Sequence, residues 1–433
     1  MTATMRKVRQ TPHTYPFNYA RAAEDDFFSM PHGALYVHVP FCRHKCHFCD
    51  FTVYINKDDD VREAYVRRLC EEISRFAGNR AFPAFAIDAI YIGGGTPGML
   101  SGGQLARIVR TCKDAYDVTP ECEISVEFDP PAVLPDKVAE VVDSGVSRIS
   151  VGAQSFDDGV LRHSNRAHDA ADVFAAFETL AASGVRKSNI DLIYPLPGLT
   201  MDVWQDSVAK AMSLNPASVS LYGLEVWPGT AYHSWLKAGK MELPTPETEV
   251  AMYLYAADTL EAAGFVAHST NGYVRPDRAE KYCRYLDFYW NHWPTIGFGV
   301  SSRSAVHDRV WANVKGLKEY TARIEAGRSA LELGRRLSKP EEMRRVVIRG
   351  IKTCRLSKRQ FADRFGVGLE TIFPKEIASL TDDGLIDNTP DELVLTRQGR
   401  ALSTNVFARF YRPEDNEPLA DGEVSVGRSA LVE

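Results

Sequence analysis

The sequence predicts an α/β fold built on six parallel strands. Three observations predict it. Strand-like and helix-like segments alternate from residue 34 to residue 226. Glycines or polar residues stand at or just past most of the strand ends. From about residue 334 the composition turns basic and helical and no longer follows the strand–helix rhythm. Alternation at this spacing means βαβ units with right-handed crossovers, and therefore a parallel sheet. Six strands make either an open doubly wound sheet or a partial barrel; periodicity does not choose between them. In both, a functional site belongs at the C-terminal ends of the strands.

The elements follow in order. "ALYVHV" (34–39) is a short β-rich run, and 60–78 has helical periodicity with Gly78 as its stop. "IDAIYIGGG" (87–95) is a strand ending in glycines, followed by a helix over 101–117. "CEISVEFDP" (122–130) is a strand stopped by Pro130 and Pro131, and 136–145 is a helix closing on Gly145. A strand over 147–155, a helix over 169–184, a strand within 187–198, a helix over 201–214 and a strand over 217–226 complete the series. A further helix is expected over 247–264, then an aromatic segment, "YCRYLDFYWNHW" (282–293), and "TIGFGVSSRSAV" (295–306). Residues beyond 334 read as helices, a turn and a short hairpin, which is a winged-helix-like pattern. Residues 1–32 read as an irregular arm and 412–433 as a polar tail.

Composition narrows the function. The chain of 433 residues is 45% hydrophobic and 25% charged, a soluble balance with room for a large core. A net charge of −6 argues against a general nucleic-acid or membrane-surface binder. The basic run Arg335–Arg364 is therefore read as a solvated face. No apolar stretch reaches the length needed to span a bilayer, and residues 1–30 lack the apolar core of a secretory signal. The expected location is cytoplasmic, where thiols stay reduced and clustered cysteines are metal ligands or catalytic groups rather than disulfides.

Such a cluster exists. Cys42, Cys46 and Cys49 lie in "YVHVPFCRHKCHFCD" with spacing C-x3-C-x2-C. A zinc site would need a fourth ligand, for which His38, His44 and His47 are the nearby candidates. Three thiolates suit a cubane iron–sulfur cluster that leaves one iron open, whereas a closed electron-transfer cluster takes a fourth cysteine. Gly93–Thr96, Glu127, Gln154, Asp191 and Glu225 fall at or just past strand ends. The glycine-rich turn lets backbone approach a ligand closely, and the segment 282–293 is either an aromatic wall for a flat substrate or a helix or strand packing on the core.

The chain resembles the radical S-adenosylmethionine (SAM) family, and within it the oxygen-independent coproporphyrinogen III oxidase-like branch. "YVHVPFCRHKCHFCDF", "YIGGGTP", "SRISVGAQSF", "NIDLIYPLPG" and "TIGFGVSS" carry the resemblance from about 34 to 320, and "LTDDGLIDNTPDELVLTRQGRAL" extends it. It implies a partial (β/α)6 barrel with an α+β extension over 33–330 and a substrate-side C-terminal unit over 331–411. It implies a [4Fe–4S] cluster on Cys42, Cys46 and Cys49 and one or two SAM molecules, cleaved to a 5′-deoxyadenosyl radical. Tyr36, Phe48, Gly94, Gly95, Thr96, Glu127, Gln154, Arg166, Asp191, Glu225 and Arg303 are the implied SAM contacts, with Tyr36 and Glu127 also catalytic. An electron donor such as a flavodoxin or ferredoxin and a small-molecule substrate are the implied partners, with neither membrane nor nucleic acid.

Three reactions follow from the resemblance. The first expectation is one-carbon transfer, methylation or cyclopropanation, as in class C radical SAM methyltransferases. The second is coproporphyrinogen III decarboxylation. The third is heme trafficking, a branch with an H-N-x-x-Y-W motif. This chain reads "YLDFYW" there, with Tyr285 and Leu286 in place of His and Asn, and with Tyr289 and Trp290 kept.

Overall fold

The computed structural model describes residues 32–55, 58–78, 85–279 and 282–411. The expected arm, apart from His32, and the expected tail lie outside the described residues. The six expected strands are present as β1 (His32–Val39), β2 (Ala86–Gly94), β3 (Val118–Phe128), β4 (Arg148–Gln154), β5 (Lys187–Tyr194) and β6 (Ser218–Gly223). They pair in sequence order and all in parallel. The crossovers are α1 (Asp59–Ala77), α2 (Gly102–Ala115), α3 (Pro135–Asp143), α4 (Ala170–Ala182) and α5 (Met201–Ser213). Their starts are written in the sequence. Asp58 caps α1, Ser101 and Gln104 form a capping box on α2, and Asp169 and Asp172 form one on α4.

The sheet does not stop at six strands. α6 (Pro246–Ala262) leads to β7 (Val266–Ala267) and β8 (Gly272–Val274), and β8 pairs antiparallel with β6. On the opposite edge β9 (Thr295–Phe298) runs parallel to β1, and β10 (Arg303–Val306), β11 (Arg309–Asn313) and β12 (Leu331–Arg336) continue outward antiparallel. The result is one twelve-stranded sheet, its central strands forming the partial barrel.

Period-two alternation gives the barrel two different faces. Leu35, Val37 and Val39 of β1 and Ile90 and Ile92 of β2 pack outward with Leu69, Leu105 and Val109 of the helices. Each such side chain, fully buried, contributes about 1.5–3 kcal/mol. The alternate residues face inward. Paired positions across β3 to β6 read Glu127, Ser150, Asn189 and Ser218, so this part of the interior is polar. On β1 and β2 the inward positions are Ala34 with Ala89 and Tyr36 with Tyr91.

That inner face receives the aromatic segment, which forms the helix α7 (Arg284–Trp290). Tyr285 and Phe288 pack with Ala34 and Ala89, whose small size leaves room for the helix. Charged groups fix its N-terminus. The Arg284 backbone N–H donates to Glu123 at 2.7 Å, and the Arg284 guanidinium meets Asp88 at 2.9 Å. A carboxylate at a helix start also complements the partial positive charge there.

The C-terminal residues begin with α8 (Lys339–Gly350), opened by a Ser338–Glu341 capping box. A three-stranded antiparallel sheet follows, made of β13 (Arg355–Ser357), β14 (Ile386–Asn388) and β15 (Glu392–Leu395), with β15 central. Phe361, Leu369, Phe373, Ile377 and Leu393 give these residues a core of their own. Among the described residues no helix is long and apolar enough to cross a membrane.

Candidate active site

The three cysteines lie on the loop that leaves β1, and neighbouring loops hold it by backbone bonds. Gly95 N–H donates to Val39 at 2.8 Å and Thr96 N–H to Phe41 at 2.8 Å. A side chain on Gly95 has no room: its Cβ would stand 2.8 Å from the Phe41 carbonyl and 3.0 Å from Cys42 Sγ. Gly94 has φ +114°, a conformation that favours glycine. On the other side the chain past β4 grips the loop, through Asn165 Nδ2 to the Lys45 carbonyl at 2.7 Å and His47 N–H to the Ser164 carbonyl at 3.1 Å.

The thiols meet polar partners. Cys42 Sγ lies 3.5 Å from Thr96 Oγ1, and Cys46 Sγ accepts from Arg166 Nη1 at 3.3 Å. Burial pushes the Cys42 thiol up to about 11 and the Cys49 thiol up to about 12. Such thiols ionise readily only when a metal centre supplies the positive charge, so loading releases protons. Two of the histidines that a zinc site could use make other contacts. His38 Nδ1 is bonded to Tyr36 Oη at 3.1 Å, and His47 Nδ1 to the His163 carbonyl at 2.8 Å. Among the described residues no three His, Cys, Asp or Glu side chains converge on one ion-sized site.

Arg166 is one of the implied SAM contacts. Its Nη2 donates to Asp129 Oδ1 at 2.7 Å and to the Gly152 carbonyl at 2.8 Å. It thus ties the cysteine loop to the ends of β3 and β4. Replacing Arg166 by alanine removes the donor to Cys46 and leaves Asp129 without its partner. Iron retained per chain after gel filtration is expected to fall about 10–100-fold, with Arg166→Lys intermediate.

Glu127, at the end of β3, accepts from Tyr91 Oη at 2.5 Å and from the Gly94 N–H at 3.2 Å. Burial pushes its carboxyl up to about 7. Tyr36 stacks on Tyr91 and Tyr285 with centroids 6.3 and 5.7 Å apart, so Tyr36 and Glu127 meet through Tyr91. Gln154 closes β4 with φ 66°, an unusual value for a side-chain residue, and its buried Oε1 has no hydrogen-bond partner among the described residues. Asp191 on β5 accepts from Ser150 Oγ at 3.1 Å and Asn189 Nδ2 at 2.8 Å, inside the polar layer. Phe48 packs against the core with its ring 6.4 Å from Tyr232. Arg303 lies on β10 and interacts with Asp50, next to the third cysteine, while Glu225 lies exposed past β6.

One rim therefore gathers the cysteines, Gly94, Gly95, Thr96, Arg166 and Glu127. Two members escaped the sequence reading, Asp129 and Tyr91. Both carried a signal: Asp129 follows a strand, and Tyr91 shares the inward face of β2 with Gly93.

The donor set suits an iron–sulfur cluster with SAM: three thiols on one loop, a glycine cradle beside them and a buried Gln154 Oε1 without a hydrogen-bond partner among the described residues. A radical SAM superfamily profile matches residues 36–211 and a HemN C-terminal domain profile matches 337–402. The heme chaperone HemW of Bacillus subtilis (strain 168) is 30% identical over 380 residues, covering 87% of this chain and 98% of that one. The chain belongs to the HemN-like branch of the radical SAM superfamily. Its cofactors are accordingly a [4Fe–4S] cluster and SAM. The oxygen-independent coproporphyrinogen III oxidase of Escherichia coli (strain K12) is 29% identical over 398 residues, covering 87% of this chain and 85% of that one. The solved structure of the HemN coproporphyrinogen III oxidase from Escherichia coli superposes with a TM-score of 0.74 at 26% identity, covering 88% and 90% of the two chains. The expected partial barrel with its C-terminal extension stands. The expected one-carbon transfer finds no counterpart among these relatives.

Proposed function

We propose that this protein is a radical SAM enzyme acting on a macrocyclic substrate of the tetrapyrrole class, as its coproporphyrinogen oxidase relatives do. One observation carries the reading. From Glu127 a ladder of rings leads away across the interior through Tyr91, Tyr285 and Tyr289, with Tyr91–Tyr285 centroids 5.0 Å apart and Tyr285–Tyr289 6.0 Å apart. Half-buried Tyr36 flanks it. Offset stacking on such a wall orients the individual pyrrole rings of such a macrocycle. When bound, the cluster and SAM supply a carbon-centred radical able to take hydrogen from unactivated carbon. The residues here do the rest. Cys42, Cys46 and Cys49 hold the cluster, and Gly94, Gly95, Thr96, Gln154 and Asp191 offer polar contacts to SAM. Glu127 holds or accepts a proton near neutral pH.

The test is anaerobic turnover of the reconstituted protein with SAM, a one-electron reductant and coproporphyrinogen III. Formation of 5′-deoxyadenosine and methionine with loss of carbon dioxide from the porphyrinogen is expected. S-Adenosylhomocysteine with a methylated product would overturn the reading in favour of one-carbon transfer.

A second reading, heme trafficking, is favoured by Tyr289 and Trp290 and opposed by Tyr285 at the place of the histidine. Wild-type protein is expected to bind hemin weakly. Tyr285→His restores an imidazole ligand and is expected to tighten hemin by at least about tenfold, read from the Soret band. Equal, tight hemin binding by both proteins would favour the chaperone.

A further inference from the structure

The cysteine loop also has an outer side. His47, between the second and third cysteines, is half-buried, and its Nδ1 donates to the His163 carbonyl at 2.8 Å. The Trp235 ring stands edge-on to His47 with centroids 4.6 Å apart, and the His163 ring lies 5.7 Å from Trp235. Trp235 belongs to the short helix Ala231–Lys237, and a backbone bond joins that helix to the loop: Tyr232 N–H donates to the His47 carbonyl at 3.1 Å. His163 is exposed, Trp235 is half-buried and Leu236 beside it is 36% exposed. A π-rich surface therefore reaches from solvent to the residue next to Cys46.

Cations surround it. Lys45 stands two residues before His47, Arg162 directly before His163, and Lys237 and Lys240 just after Trp235; all four are exposed. Lys240 N–H bonds back to the Trp235 carbonyl at 2.9 Å, and the Lys45 carbonyl accepts from Asn165 at 2.7 Å, so both ends stay on this face. The acids nearest in sequence bend inward onto backbone. Asp157 accepts from Val160 N–H at 2.8 Å and Asp158 from Ala170 N–H at 3.0 Å. A basic edge opposes the sign of the whole chain, which carries −6. An acidic protein is repelled by the chain at large and drawn to this edge.

The cluster assigned to these cysteines must gain one electron for each SAM it cleaves. Electron tunnelling weakens steeply with distance, so a protein donor has to sit on the cysteine loop itself. We propose that the face formed by His47, His163 and Trp235, rimmed by Lys45, Arg162, Lys237 and Lys240, is the docking surface for an acidic one-electron carrier protein. The carrier is oxidised by one electron and the cluster reduced by one; no atom is transferred. A small face is enough, since redox encounters bury less than about 1,200 Å². Complementary charge speeds such encounters, and a tryptophan is a common anchor at their centre. The proposal rests on the cluster assignment and is independent of the tetrapyrrole reading.

The test uses the reconstituted full chain, reduced flavodoxin as the acidic carrier and photoreduced deazaflavin as a small reductant. Flavodoxin is expected to reduce the wild-type cluster, read from the bleaching of its visible absorbance, at a rate that falls at least about tenfold from low salt to about 0.5 M salt. The double variant Lys237→Glu, Lys240→Glu should show that loss already at low salt. Trp235→Leu should weaken calorimetric binding of flavodoxin about tenfold. Lys375→Glu, an exposed reversal among the C-terminal residues, should behave as wild type. Deazaflavin should reduce all four proteins at one rate. A double variant that matches wild type with flavodoxin, an equal loss in Lys375→Glu, or an equal loss with deazaflavin overturns the docking surface. If deazaflavin reduces the wild-type cluster and flavodoxin neither binds nor reduces it, the surface falls and the cluster assignment stands. If the chain holds no reducible cluster, both fall.

Discussion

Replacing Cys46 by serine is expected to leave a folded chain that assembles no cluster. Iron and acid-labile sulfide should fall by more than about a hundredfold, since loss of a mere supporting contact already costs about 10–100-fold. The fold should survive because the loop is held by backbone bonds from Gly95, Thr96 and Ser164 and by Asn165, none of which uses the thiol. SAM cleavage to 5′-deoxyadenosine should vanish with the cluster. Cys112→Ser is the matched control. Cys112 is fully buried in the outer core with Leu105 and Val109. A hydroxyl there should destabilise the chain by about 1–3 kcal/mol and leave the cluster in place. A Cys46→Ser protein that kept full iron content would refute the assignment of that thiol, and a Cys112→Ser protein that lost it would show that the readout reports folding alone.

The barrel was legible because each of its strands combines outward aliphatics with a helix of 3.6 period on either side. Leu35, Val37 and Val39 announce β1 without any knowledge of their neighbours. The cysteine spacing and the glycine turn were legible for the same reason, since their chemistry is local. What escaped depends on partners distant in sequence. The bond from Arg166 to Asp129 was not read, because it joins positions with no sequence pattern between them. The segment 282–293 was open between a substrate wall and ordinary packing. It packs inside the barrel, because Ala34 and Ala89 leave space for α7 while the Tyr36 and Tyr91 rings lie against Tyr285. Small residues on two strands far apart in sequence set that outcome, and α7 itself does not encode it.

Glu127→Gln is expected to change how stability depends on pH. The carboxyl has its ordinary value of about 4.5 in the unfolded chain and is pushed up to about 7 in the fold. Burial is the largest cause. The bond from Tyr91, and after it that from the Gly94 N–H, favours the charged form and offsets part of the shift, whereas the charge of Asp191 adds to it. Between those two values the folded state binds more protons than the unfolded one, so stability falls as pH rises. The contribution is complete below 4.5 and is lost as pH climbs through 7. At 1.36 kcal/mol per unit it amounts to roughly 3 kcal/mol at most, reduced by whatever water reaches this half-buried group. Glutamine keeps an acceptor for Tyr91 and carries no charge, so the Glu127→Gln chain should lack this slope. Without cluster or SAM, the wild-type protein should therefore lose denaturant resistance relative to the variant between pH 5 and 8. Parallel pH profiles for the two proteins would mean that Glu127 ionises at its ordinary value. In that case its proton would not be available near neutrality, and the residue would serve only to position Tyr91 and the glycine turn.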